Sequence, residues 1–245
     1  TTTYDTSGNG NDGVFVSDDT SPIWTRGKYG KGLSFDGGDD YISFGDVELT
    51  NNAITITAWY KPGYTDDSPV VSKYLAQGDE YRAYSCKPNA FFVSEDGLSG
   101  AGSSLSAVSG ITQIVDKWYF LSCAFDGNGT AKIYIDGQLK GSDYDAGVTG
   151  IDNNSRELRV GNYNTSGERY AKGIIDEVKI YNYARTPAQI AWGYNKGGPI
   201  AHWSFNECSG STIHDESGNG NDGQLYLGSS GVTATGTCAE SGTSF

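Results

Sequence analysis

The residues of this chain best placed to do chemistry form an oxygen-rich loop, Asp5-Thr-Ser-Gly-Asn-Gly-Asn-Asp-Gly13. Oxygen-bearing side chains fall at alternate positions, Asp5, Ser7 and Asn9, and Gly10 takes the sixth place, where a calcium loop turns sharply. The twelfth place, which an EF-hand fills with a bidentate glutamate, is Val16, so the match is incomplete. Calcium takes about six to eight oxygen ligands, so a further carboxylate must come from elsewhere. Asp176, set among apolar neighbours in Ile-Ile-Asp-Glu-Val, is the candidate. Asn/Gly clusters also make plain tight turns, and that alternative stands beside the calcium reading.

Other chemistries find less material. Both histidines, His202 and His214, lie beyond residue 198, which removes a Ser-His-Asp triad, a Cys-His pair and a His-ligated zinc from residues 1–198. Glycoside hydrolysis needs only two carboxylates, but no compact alternating Glu/Asp strand motif occurs, and the adjacent Asp176 and Glu177 are expected on opposite strand faces. A non-enzyme is therefore expected. Carbohydrate binding needs aromatic faces beside polar groups, and Trp24, Tyr64, Tyr74, Tyr81, Tyr163 and Tyr170 lie in or near polar loops. Trp59, Trp118 and Trp203 sit inside strand patterns and read as core. The four cysteines allow three pairings; Cys86 with Cys123, on strands that can be neighbours, and Cys208 with Cys238 is the preferred one. No C-x-x-C occurs, which disfavours structural zinc, and the cysteines point to an oxidising compartment, against four free thiols in a cytosolic protein.

The elements that must carry these residues are short strands between turns. Strands are expected at 41–44, 53–61, 69–74, 81–86, 90–94, 117–125, 131–135, 157–161 and 173–181, with Asp136-Gly-Gln as a hairpin turn. One helix follows: Thr186 caps it, Pro187 takes its first position, and Gln189 completes a capping box before Ile190 and Trp192. Such a series predicts a two-sheet sandwich. An internal repeat lies across this pattern. At an offset of 210 residues, Ser7–Gly13 is identical to Ser217–Gly223, Asp5 aligns with Asp215, and Gly32, Ser34 and Phe35 align with Gly242, Ser244 and Phe245. The expected organisation is one repeat over residues 1–198, lacking its first strand, and the opening of a second over 199–245, in a fragment of a tandem array. In the second copy Ile200–Phe205 has a strand pattern, and it is the expected filler of the missing place by strand addition, in its own chain or a neighbour's.

The balance of 17 basic against 30 acidic residues, a net charge of −13, opposes nucleic acid and anionic lipid as partners. No stretch reaches the roughly 18 to 20 apolar residues of a membrane helix. Taken together, the motifs resemble a laminin-G-like jelly roll of the concanavalin A-like lectin/glucanase superfamily. The likeness rests on His202-Trp-Ser-Phe-Asn-Glu before Asp215, on Gly32-Leu-Ser-Phe-Asp-Gly-Gly-Asp-Asp-Tyr-Ile42, on Ile54-Thr-Ile-Thr-Ala-Trp59, on Lys132-Ile-Tyr-Ile-Asp-Gly137 and on Ile175-Asp-Glu-Val-Lys-Ile-Tyr-Asn182. It implies an all-β, two-sheet antiparallel jelly-roll sandwich with one short C-terminal helix. It also implies a calcium ion joining Asp5 to Asp176, with Asn9, Asn11, Asp12 and the Gly13 carbonyl as further ligands. The expected function is a calcium-stabilised extracellular or cell-surface binding and adhesion module for polysaccharide or glycoprotein. A purely structural repeat of an adhesin or filament and a polysaccharide-degrading enzyme are the alternatives.

Overall fold

A computed structural model describes residues 1–17, 22–65, 69–77, 80–99, 102–165, 169–196, 198–199, 201–205, 211–217 and 220–226, with backbone alone at 75–77, 80–81 and 164–165. The chain divides into two units, Thr1–Tyr194 and Asn195–Phe245.

The first unit begins with β1 (Thr2–Thr3), β2 (Gly13–Val16), β3 (Ile23–Arg26), β4 (Lys31–Asp36), β5 (Tyr41–Ser43) and β6 (Ile54–Pro62). It continues with β7 (Val71–Gln77), β8 (Glu80–Cys86), β9 (Ala90–Ser94), β10 (Ser104–Val108), β11 (Tyr119–Phe125) and β12 (Thr130–Ile135). It closes with β13 (Gln138–Tyr144), β14 (Arg159–Val160), β15 (Asn162–Thr165), β16 (Arg169–Tyr170), β17 (Lys172–Tyr181) and helix α1 (Pro187–Tyr194). One sheet runs β1-β2-β5-β14-β7-β8-β9-β10, with β15 and β16 attached beside β7. The other runs β13-β12-β11-β6-β17-β4-β3. Pairing is antiparallel in both, and the short β15–β7 contact, Asn164 opposite Leu75, is parallel. This is the two-sheet sandwich the strand pattern predicts, in the jelly-roll form the resemblance implies.

Alternation explains the core. Val71, Tyr84, Val93, Leu105 and Ala107 of the first sheet meet Ile54, Ile56, Leu121, Cys123, Phe125 and Ile133 of the second in one buried cluster. Strands β6 and β11 are buried along nearly their whole length because their sheet is covered twice. Its outer face carries Trp59, Phe120 and Tyr134, packed against Ile190 of α1 and Tyr194. A strand covered on both faces loses the contrast between inward and outward positions, which is why 119–125 is nearly all apolar and Thr55 and Thr57 of β6 are buried. The capping box forms: the Thr186 N–H donates to Gln189 Oε1 at 2.8 Å, and the Gln189 N–H donates to Thr186 Oγ1 at 3.2 Å.

Cys86 and Cys123 form a disulfide. They are not on neighbouring strands, however: β8 and β11 belong to different sheets, so the bond crosses the core. Cys208 and Cys238 lie outside the described residues.

In the second unit β18 (Thr212–Ile213) pairs with β19 (Gly223–Gln224). This hairpin copies β1–β2 at the 210-residue offset, Thr2 opposite Val14 becoming Thr212 opposite Gln224. The expected strand over Ile200–Phe205 does not form among its described residues, 201–205. The backbone of His202 is used differently: its N–H donates to Asp215 Oδ1 and its carbonyl accepts the Glu216 N–H. Trp203, read as core, is 42% exposed. No helix among the described residues is long and apolar enough to cross a membrane.

Candidate glycan-binding face

The outer face of the first sheet presents aromatic rings beside cationic and amide groups. On β7, β8 and β9 the residues next to the core positions, Ser72, Ser85 and Phe92, align across the strands and face away from the core. Alternation from Ser72 places Tyr74 on this face, and an extra residue in β8 at Ala83 sets Arg82 opposite it. The Tyr74 ring meets Phe92 edge-on at 5.4 Å and Tyr163 of β15 at 5.2 Å. Arg82 lies 5.9 Å from the Tyr74 ring centre and Lys87 5.8 Å from that of Tyr163. All five side chains are partly exposed.

The platform continues across β14 to β5. Arg159 is buried, with its guanidinium 4.2 Å from the Tyr41 ring centre. Its Nε donates to Glu157 Oε1 at 2.7 Å, its Nη2 pairs with the same carboxylate, and its Nη1 donates to Asn162 Oδ1 at 2.9 Å. The Ser43 hydroxyl donates to the other Glu157 oxygen. Asn162 is buried and donates from Nδ2 to the Arg169 carbonyl, while its own carbonyl accepts the Ser72 hydroxyl. A planar guanidinium held by several partners is already ordered, so little freedom is lost when it meets a ligand. Burial pushes the Tyr74 phenol above the ordinary tyrosine range, partly offset by the Arg82 charge, so it stays a neutral donor near pH 7. From β5 to β9 the face crosses five strands, about 19 Å at the usual strand spacing.

Of the aromatic candidates, Tyr74 and Tyr163 are brought together. Tyr170 pairs through its backbone with Asn162, and its carbonyl accepts the Tyr64 hydroxyl at 2.9 Å. Trp24 is on β3, the edge strand of the other sheet, 50% exposed and packed on Phe15 at 5.8 Å. The Tyr81 side chain lies outside the described residues. Sequence reasoning missed Phe92, Arg82 and the Arg159 network. Phe92 was legible in principle, since Phe91 and Phe92 are consecutive and a strand turns them to opposite faces.

The calcium ligands expected around Asp5 take part in hydrogen bonds within their own loop. Both Asp5 oxygens serve their own loop: Oδ1 accepts the Ser7 N–H, and Oδ2 accepts the Ser7 hydroxyl and the Asn11 N–H. These bonds, led by the Ser7 N–H, hold the Asp5 carboxyl below the usual carboxylate range. Asp12 accepts the Asp5 N–H, Asn9 donates to Ser7, and Gly13 pairs with Thr3, where a Cβ would strike Ile42 and Phe44 at 2.6 Å. Asp176 is 8% exposed and engaged elsewhere. Its Oδ2 accepts the Tyr29 N–H at 2.9 Å and its Oδ1 the Glu177 N–H at 2.7 Å, tying the turn between β3 and β4 to β17. The hydrogen-bond partners described for Asp5 and for Asp176 are thus different ones. The Asp215 loop repeats the arrangement, with Asp215 accepting from Ser217 and Asn221 and donating to Asp222. Asp176 and Glu177 also fail to alternate simply, because Glu177 takes a left-handed conformation, φ 51°, in a bulge opposite β6.

Among the described residues, one group of three acidic side chains does converge. Asp36, Asp39 and Asp40 bring one carboxylate oxygen each to within 4.8 Å of one another. Burial pushes the Asp40 carboxyl up to about 6; the Asp36 N–H opposes that shift, and the Asp36 charge adds to it.

Comparison with known proteins agrees with this architecture. A search of the curated proteins finds no match. Among solved structures, domain 4 of AbnA, a GH43 extracellular arabinanase from Geobacillus stearothermophilus, in complex with arabinotriose, is 20% identical with a TM-score of 0.55. That match covers 76% of this chain and 89% of that one. The binding domain of Paraclostridial Mosquitocidal Protein 1 is 14% identical with a TM-score of 0.60, covering 82% of this chain and 50% of that one. The binding domain of botulinum neurotoxin DC in complex with SialylT is 13% identical with a TM-score of 0.56, covering 81% and 49%. The chain therefore spans about half the length of the toxin binding domains it matches. At these identities the likeness is one of fold. A family model, however, matches residues 36–191, more than half of the sequence, and by that match the chain belongs to the laminin-G-like family of the concanavalin A-like lectin/glucanases superfamily.

Proposed function

We propose that the chain is a non-catalytic module that binds oligosaccharide, free or on a glycoprotein, outside the cell. The observation that carries this reading is the Tyr74–Phe92–Tyr163 cluster flanked by Arg82, Lys87 and Arg159. Ring faces stack on the C–H surfaces of sugars, and ordered guanidinium and amide groups select hydroxyl or carboxylate substituents. The arabinotriose and SialylT complexes of two structural neighbours support the ligand class. The disulfide supports an oxidising location. The duplicated hairpin of the second unit favours a further feature, a repeat architecture in which such modules follow one another and serve adhesion.

The test is a glycan array followed by calorimetry on the best hit. Tyr74→Ala and Tyr163→Ala should each weaken binding about tenfold or more, the loss of about 1.4 kcal/mol expected for one anchoring aromatic. Trp24→Ala, on the other sheet, should bind as wild type. A failure of every glycan to bind at millimolar concentration, or full affinity in the Tyr74 variant, overturns the reading.

A further inference from the structure

The connection Asp36-Gly-Gly-Asp-Asp40 carries the chain from β4 in one sheet to β5 in the other. It is tight: Gly37 has φ 86°, and a Cβ there would lie 3.0 Å from Lys172 Cβ and 3.1 Å from the Tyr64 ring. The chain must therefore turn with little room, and it does so with three carboxylates in five residues. Asp40 is completely buried at the end of the turn. Its Oδ2 accepts the Asp36 N–H at 2.8 Å, and the Ser17 hydroxyl also bonds its carboxyl, but its Oδ1 has no hydrogen-bond partner. The Gly38 N–H donates to Asp36 Oδ1 at 2.6 Å. Neither Asp36 nor Asp40 takes part in an ion pair among the described residues. A buried carboxylate oxygen with no donor, on a side chain whose carboxylate converges with two more, is costly unless a cation completes it.

The arrangement suits a hard cation. Oxygens bound to one calcium ion at about 2.4 Å are at most about 4.8 Å apart, and the three carboxylates meet that limit. Asp36 is exposed and Asp39 partly so, which leaves room for water to complete six or more ligands. We propose that Asp36, Asp39 and Asp40 bind a divalent cation, calcium by their all-oxygen chemistry, which staples the two sheets at their crossover. The site is separate from the Asp5 loop, whose carboxylate is satisfied by its own turn.

The experiment uses the chain stripped with chelator, with calcium chloride as the only added ligand. Thermal melts and calorimetry are recorded up to about 10 mM calcium, above the weakest extracellular sites. Wild type should show saturable heat and a melting temperature raised by several degrees. Asp39→Asn and Asp40→Asn should abolish both, and Asp5→Ala should keep both. Because Asp40 is buried and its variant can fail to fold, the partly exposed Asp39→Asn, checked by circular dichroism, decides on its own. Terbium luminescence excited through tyrosine gives an independent signal, lost in Asp39→Asn. An absent response in wild type, a response retained in Asp39→Asn, or one lost in Asp5→Ala overturns the proposal. No saccharide enters the experiment, so its failure leaves the glycan reading where it stands.

Discussion

Asp5 and Asp40 are both aspartates at glycine-rich turns, yet their surroundings differ in kind. Asp5 is partly exposed and accepts three donors from residues 7 and 11, so its charge is answered locally. Asp40 is buried with one oxygen unanswered. The difference sets opposite titration behaviour. For Asp5 the folded pKa lies below the ordinary aspartate value of 3.8, so the turn's stabilisation is fully present above that pH and fades as pH falls through the lower folded value. An NMR titration of the Asp5 carboxyl should give a midpoint below 3.8, as should Asp145, whose carboxyl accepts the Gly147 and Gly102 N–H groups. A midpoint at or above 3.8 for Asp5 would mean that the turn does not persist in solution. At this scale the sequence was partly legible. Alternating oxygens and a sixth-place glycine describe a sharp turn correctly, but spacing alone cannot tell whether the inward oxygens meet an ion or the loop's own N–H groups. Asp40 carries the stronger local demand, and nothing in its immediate neighbours marks it as buried, because the burial comes from the crossing of two sheets.

Among the elements, α1 was readable to the residue. Its reciprocal Thr186–Gln189 bonds are short-range, so sequence spacing determines them. The helix matters because Ile190 and Tyr194 cover Trp59, Phe120 and Tyr134 on the outer face of their sheet. Thr186→Ala should cost about 1 kcal/mol in a denaturant melt followed by tryptophan fluorescence, with the Trp59 signal changing together with global unfolding. An unchanged midpoint would show that packing alone holds the helix. Strands β6, β11 and β17 were equally legible, since apolar runs or alternation marked them. Strands β3 and β13 were not: most of their residues are exposed, and β13 reads Gln-Leu-Lys-Gly-Ser-Asp-Tyr, with no apolar period. Edge strands gain order from the ladder beside them, which local pattern does not record. The same reasoning covers the candidate face. Tyr74 and Tyr163 stood out as aromatics near polar loops, whereas Arg159 acquires its role only when Tyr41, Glu157 and Asn162 gather round it from β5 and β14–β15.

For the molecule as a whole, the two sheets are held by a shared apolar core and by the one covalent link described, Cys86–Cys123, across a sequence separation of 37. Closing such a loop removes freedom mainly from the unfolded chain and is worth about 4 kcal/mol in the chain-entropy view. The double variant Cys86→Ala/Cys123→Ala should therefore lose about 2 to 4 kcal/mol in urea melts while keeping the wild-type far-ultraviolet spectrum. A loss below about 0.5 kcal/mol would mean that the core alone fixes the sheets. The repeat at 210 residues was plain from the sequence, and its hairpin geometry follows, but the sheet-to-sheet course of the disulfide was not, since strand neighbours and strands facing across a core look alike in one dimension. The same bond also shapes how the module responds to force. A pull applied at the chain ends extends the residues outside the loop but not the segment between Cys86 and Cys123, so about 130 Å of contour stays withheld until the bond is reduced. The sandwich thus carries a built-in limit on how far it can stretch, one set by the redox state of its surroundings.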